Sequence, residues 1–218
     1  TPTEALHARP SLSDLDITRL EAAVRSASKV FTTSKKTLDP SVTLSAEAVT
    51  QWFVSTEGHR IRHGSRRFRL SVYADTIAED GAELSMSHII DTASPDRLPT
   101  KRELVAAARK LDKELMALRD APREEPYSGP ALLSGRAAAV FFHEIFGHRV
   151  EGHRLKEVSD SQTFRNQVGN AILPPFLSVH DDPTLTQVEG IDLRGSYRFD
   201  NQGTPSEPVT LVDRGVLK

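Results

Sequence analysis

From Ser41 to Ala93 the chain reads SVTLSAEAVTQWFVSTEGHRIRHGSRRFRLSVYADTIAEDGAELSMSHIIDTA, and the texture of this stretch decides the fold class. It is dense in Val, Ile, Thr and aromatic residues, which pack well on a pleated, half-buried surface. Three runs stand out: VTLSAEAVTQWFVST from Val42, RRFRLSVYADTIAE from Arg66 and AELSMSHIIDTA from Ala82. The breaks TEGHR, HGSR and EDGA carry turn-forming Gly, Ser and Asp. The expectation is an antiparallel meander of three or four strands.

Helical periodicity flanks the meander on both sides. SDLDITRLEAAVRSASKVF, from Ser13, places Leu15, Leu20, Ala23, Val24, Ala27 and Val30 at near-helical spacing, with Ser13 or Asp14 as the expected N-cap. SPDRLPTKRELVAAARKLDKELMALRDAP, from Ser94, carries a capping-box pattern at Thr100 and Glu103. Its apolar residues Leu104, Val105, Ala108, Leu111, Leu115 and Leu118 trace one face, and Pro122 stops the run. After the loop REEPYSGP, ALLSGRAAAVFFHEIFGH reads as a short strand turning at Gly135 into an apolar helix. From Ser159 onward short strands alternate with Gly, Asp, Asn and Pro turns. The fold class is therefore α+β. An N-terminal domain, residues 1–125, packs helices on an antiparallel sheet, and residues 126–218 lead from a second apolar helix into a β-rich C-terminal region.

Composition narrows the function classes. With 28 Lys plus Arg against 30 Asp plus Glu, the formal charge of -2 provides no global field for a phosphate backbone, so no nucleic-acid partner is expected. The densest basic run, HRIRHGSRRFR from His59 to Arg69, reads as a solvated hairpin tip around Gly64-Ser65. No apolar run approaches the roughly 18 residues of a membrane span, so no membrane partner is expected either. The N-terminus has no basic region followed by an apolar one, although it lacks an initiator Met and a targeting signal could have been removed. Zero cysteines exclude disulfides, thiolate metal knuckles and thiol nucleophiles.

The stretch AAVFFHEIFGHRVEGHR, Ala138 to Arg154, carries the chemistry. It approaches the H-E-x-x-H zinc-peptidase pattern, with one extra residue between the histidines. Each residue advances about 100° on a helix, so His143 and His148 would point about 140° apart if the helix ran straight through them. A π-bulge or a helix end would bring them together, and Gly147, able to take the left-handed conformation, is the expected end. Neutral imidazoles at His143 and His148 suit zinc, while Glu144, expected to point elsewhere than its neighbour, would take a proton from an activated water. The bland reading is a helix whose histidines cap or pair at its polar edge. Against it stands the cost of a His-Glu-His cluster directly behind AAAVFF unless the cluster is satisfied.

These residues also resemble a known family. HEIFGHRVEG is similar to the H-E-x-x-x-H motif of the TldD/PmbA metallopeptidases, formerly described as modulators of DNA gyrase. The resemblance continues in order through GNAILPPFLSVHDDPT, with its DDPT turn, and GSYRFDNQGTPSEPVTLVDRGVLK, with a D-x-x-G-x-P segment and an L-x-x-x-G-x-L strand. It is most specific from about Gly129 to Lys218; upstream, WFVSTEGHRI and the strands and long helix after it match the family's N-terminal domain less specifically. The resemblance implies that His143 and His148 are zinc ligands, that Glu144 is the catalytic acid/base, and that the substrates are unfolded or extended peptides. It further implies a homodimer or a PmbA/TldE-like partner subunit, and a cytoplasmic setting. In the TldD branch the third zinc ligand is a cysteine in the C-terminal half, and the PmbA branch usually lacks the histidine motif. The expectation is thus a TldD-like chain in fragment form, ending before that cysteine, with the third ligand outside it and no peptidase activity by itself.

Substitute ligands within the chain would be His153, His180, Asp181 or Asp182. A loop role fits His153 better, and HDDP reads as a turn whose aspartates accept backbone hydrogen bonds. Glu151, three residues beyond His148, reads as orienting a ligand imidazole or the loop. His59, His63 and His88 read as surface or strand residues. Two rivals to the peptidase are a non-catalytic assembly subunit of the same fold and a DNA or gyrase modulator; metal content separates the first, salt-dependent DNA binding the second.

Overall fold

The computed structural model describes residues 3–156 and 163–218. In chain order the elements are β1 (Glu4–Leu6), α1 (Ile17–Ser28), β2 (Leu38–Val54), β3 (Arg60–Ile77), β4 (Glu83–Thr92), α2 (Lys101–Arg119), α3 (Gly135–Ile145), β5 (Val179–Asp181), β6 (Gln187–Val188), β7 (Ile191–Asp192), β8 (Val209–Asp213) and β9 (Val216–Leu217). The α+β class is as expected. Contacts divide the chain into two compact units, residues 1–123 with 185–205 and residues 124–184 with 206–218. Where the sequence reading draws one boundary after residue 125, the segment 185–205 packs with the N-terminal residues.

In the first unit β2, β3 and β4 form the expected meander, and β1 adds a parallel strand beside the start of β3, at the end that β4 does not reach. Val42, Leu70, Val72 and Ala74 point to one face by strand alternation. There they bury against Ala23 and Ala27 of α1 and Leu104, Ala108, Leu111 and Leu115 of α2. The capping box at Thr100 and Glu103 forms as expected. The cap of α1 falls later than expected: Asp16 accepts from the Arg19 amide at 2.9 Å, because Asp14 is drawn to Arg66, 2.5 Å away.

Strand length explains the rest of this unit. The 17 residues of β2 and 18 of β3 make a hairpin about 60 Å long, whereas the 19 residues of α2 span about 28 Å. Half of the hairpin must find other cover. At its far end Phe53 and Ile61 turn to the opposite face, where Gly203 of the returning segment lies against them. Asp192 anchors that segment by accepting hydrogen bonds from Thr92, Ala93, Arg97 and Gln187.

The basic run His59 to Arg69 is not a hairpin tip. Gly64 and Ser65 lie inside β3, paired with Thr50 and Val49, and the chain reverses earlier, through Ser55 to His59. The arginines are drawn along the strand by partners: Arg62 lies over the Trp52 ring and donates to the His7 carbonyl, Arg66 meets Asp14, and Arg69 meets Asp91. Gly64 marks a close approach, since a Cβ there would sit 2.2 Å from the Val49 carbonyl oxygen and 2.8 Å from the Pro10 ring. Gly64→Ala is therefore expected to cost about 1–3 kcal/mol by overpacking, read as a lower urea midpoint with an unchanged slope.

The second unit is a three-stranded sheet, ordered β5, β8, β9, whose core is Phe146, Val212 and Leu217. Its β8–β9 turn uses Arg214 and Gly215, both at positive φ (47° and 84°), the twist-matched form of a two-residue hairpin. The short strand expected before Gly135 does not form: residues 131–134 join no ladder. The expected β-rich region begins at Ser159, and residues 159–162 lie outside the described residues.

Candidate metal centre

Helix α3 ends at Ile145, where the last α-type bond runs from the Phe146 amide to the Phe142 carbonyl at 3.0 Å. Phe146 then leaves helical geometry, at φ −118° and ψ −53°, and a 3₁₀ turn runs over Gly147–Val150. The expected break between the histidines is present, but glycine does not make it. Gly147 is not at positive φ, and a Cβ there would meet only the Phe142 carbonyl at an ordinary 3.7 Å. Phe146 is the pivot: it is 6% exposed and packs in the core beside Val212 and Leu217, while α3 itself buries no residue. Burial of one aromatic ring just past the helix thus sets where the helix stops.

The break brings the histidines together. The rings of His143 and His148 lie 4.4 Å apart, centroid to centroid, tilted by 71°. Glu144 does not point elsewhere, as the helical wheel suggests. One of its oxygens lies 3.9 Å from His143 Nε2 and the other 3.9 Å from His148 Nε2. One ligand atom from each of the three residues falls within 4.8 Å of the others, a spacing at which two imidazoles and a carboxylate can share one ion. All three side chains are at least 41% exposed, so water reaches the cluster freely.

Beyond these three, His148 Nδ1 lies 2.9 Å from Glu151 Oε1, and Arg154 Nε donates to Glu151 Oε2 at 3.2 Å. These bonds hold the Glu151 carboxyl below its usual range, the His148 bond contributing most and desolvation opposing it. Glu151 thus bonds an imidazole, as its spacing suggests, whereas the role of Arg154 carries no motif that points to it. His153, 3.8 Å from Glu151, stays outside the three-residue cluster. His180 meets the Thr210 hydroxyl, Asp181 pairs with Val209 in the sheet, and Asp182 accepts from the Thr184 amide as a turn residue. Among the described residues none of these four joins His143, Glu144 and His148. His59, His63 and His88 belong to the first unit; His63 packs against Phe199, and burial lowers its pKa.

Residues 126–218 match the PmbA/TldA metallopeptidase C-terminal domain. A metalloprotease TldD homolog from Buchnera aphidicola is 30% identical over 105 residues, 47% of this chain and 20% of that protein. A metalloprotease from Methanothermobacter thermautotrophicus is 25% identical over 169 residues, 76% of this chain and 34% of that protein. Among solved structures, a candidate modulator of a DNA gyrase from Thermotoga maritima superposes with a TM-score of 0.67 at 15% identity, covering 100% of this chain and 47% of that one. TldE from Thermococcus kodakarensis gives 0.59 at 12% identity, covering 100% and 48%. The chain spans about half the length of these solved structures, and its alignments cover 20% and 34% of the two metalloproteases. No helix among the described residues is long and apolar enough to cross a membrane.

Proposed function

We propose, from the premise that this chain belongs to the TldD/PmbA family, that it carries the metal-binding part of a zinc-dependent peptidase acting on unfolded or extended peptides. The observation that carries this reading is the convergence of His143, Glu144 and His148 at the broken end of α3. Two neutral imidazoles and a carboxylate fit a borderline-soft divalent ion, and His143 and His148 are its ligands. Zinc, when bound, supplies the Lewis acidity that polarises a carbonyl and makes water nucleophilic near neutral pH. Glu144, facing both imidazoles, takes the proton from the attacking water and delivers it to the leaving amine. A second copy of the chain or a PmbA/TldE-like subunit as partner, and a cytoplasmic setting, complete the proposal.

Zinc analysis tests it. Catalytic zinc sites ordinarily use at least three protein ligands, and two imidazoles on an open turn leave most of the coordination sphere to water. The 218-residue chain is expected to bind zinc weakly, to lose it on dialysis, and to leave peptides uncleaved by itself. His143→Ala should abolish the residual binding. Binding that survives this change would remove the assigned site, and one tightly held zinc per chain would mean that a further residue of this chain completes it.

A further inference from the structure

We propose that Glu151 is a positioning residue that decides which ring nitrogen of His148 is offered to a metal ion, and that Arg154 holds the Glu151 carboxylate in place for that task. The inference rests on reading His143, Glu144 and His148 as a metal site, and adds to that reading the group that prepares one of its ligands.

The local backbone explains why these residues meet. Glu151 is extended, at φ −62° and ψ 126°, between the 3₁₀ turns Gly147–Val150 and Gly152–Leu155. Glu151 is the single residue joining the turn that carries His148 to the turn that carries Arg154, and its carboxylate reaches both. One carboxylate oxygen meets His148 Nδ1 at 2.9 Å, and the other accepts from Arg154 Nε at 3.2 Å.

The chemistry then follows from donor and acceptor counting. An ionised carboxylate can only accept, so the proton of a neutral His148 ring resides on Nδ1. The lone pair is left on Nε2, the nitrogen that faces Glu144 across 3.9 Å. Arg154 and the short bond to His148 engage both Glu151 oxygens, which keeps this carboxylate from turning to the ion itself. His143, whose ring meets Glu144 and His148, makes no comparable bond among the described residues. The two imidazoles are therefore unequal: His148 is oriented before metal arrives, and His143 adjusts.

Long-range ¹H–¹⁵N correlation spectra of metal-free protein, near neutral pH, report the tautomer of His148 directly. Wild type is expected in the Nδ1–H form and Glu151→Ala in the Nε2–H form that free imidazole side chains favour. Glu151→Gln keeps a neutral acceptor and should retain the Nδ1–H form. Zinc titration with a chromophoric competitor should show affinity about 10–100-fold weaker in Glu151→Ala, with Glu151→Gln between the two. An Nε2–H ring in wild type, or zinc affinity unchanged in Glu151→Ala, would overturn the inference and leave the metal reading standing. A wild-type chain that binds no zinc yet changes tautomer on Glu151→Ala would instead sink the metal reading, while Glu151's control of the ring would stand.

Discussion

In any preparation of the protein that cleaves peptides, Glu144→Ala is expected to retain its zinc and to lose a factor of about 10² to 10⁴ in rate. That corresponds to about 3–5 kcal/mol of lost transition-state stabilisation. The split between metal content and rate follows from the roles. In the proposed roles His143 and His148 hold the ion, so losing either would empty the site, whereas the Glu144 carboxylate would move protons. One of its oxygens lies 3.9 Å from His143 Nε2 and the other 3.9 Å from His148 Nε2, so the carboxylate stands beside both nitrogens that would hold an ion and could take a proton from a water bound there. The side chain is 60% exposed, so truncation leaves no cavity and should not disturb folding. Metal content and initial rate measured on the same samples decide the matter. Near-normal cleavage with full metal would contradict the role, and loss of metal together with activity would make Glu144 a ligand.

Much of this site was legible because it depends on local spacing. The five-residue separation of the histidines requires a break, and the break is there; the three-residue step from His148 to Glu151 anticipates their bond. What makes the break was not legible. Gly147 is the residue a turn-based reading selects, yet the work is done by burial of Phe146 against Val212 and Leu217, more than sixty residues downstream, a contact no local pattern records. The approach of Glu144 to His148 was missed for a related reason: a helical wheel assumes a straight helix, and the chain past Ile145 is not one.

The fold shows the same division. Capping at Thr100 and the stripe from Leu104 to Leu115 are local, and α2 forms where they say. The meander was visible in its β-branched texture, but Gly64-Ser65 was misread as a turn. In β3 the glycine serves a tertiary purpose, admitting Pro10 and the Val49 carbonyl, and a glycine in a strand looks the same in sequence whichever it does. The return of residues 185–205 to the first unit was invisible, since the demand for it arises from a hairpin twice as long as its helical cover.

That returning segment carries the second large effect. Asp192→Ala is expected to destabilise the first unit by about 2–4 kcal/mol, because this one carboxylate gathers four donors at the point where the segment attaches. Its oxygens accept from the Thr92 hydroxyl at 2.6 Å, the Ala93 amide at 3.0 Å, Arg97 Nη1 at 2.5 Å and Gln187 Nε2 at 2.8 Å, and Arg97 also donates to the Gly190 carbonyl. The Asp192 side chain is 9% exposed and Thr92 is buried, so the deletion strands polar groups away from water; Arg97, 38% exposed, recovers part of its solvation, which keeps the figure below that of a fully buried pair. The Thr92 hydrogen bond, chief among several donors, lowers the Asp192 pKa against the opposing effect of burial. A carboxyl depressed on folding stabilises fully above its unfolded pKa, about 3.9, and that contribution is lost as pH falls through the lower folded value. Wild-type stability should therefore drop on the acid side of about pH 4 more steeply than that of Asp192→Ala. Urea denaturation at pH 7 and pH 3 supplies both numbers. Hydrogen exchange adds a local one, with amides of residues 185–205 losing protection in the variant before those of α2. A variant within about 0.5 kcal/mol of wild type at neutral pH, with the same acid limb, would show that the segment is held by Phe53, Ile61 and Gly203 rather than by the carboxylate.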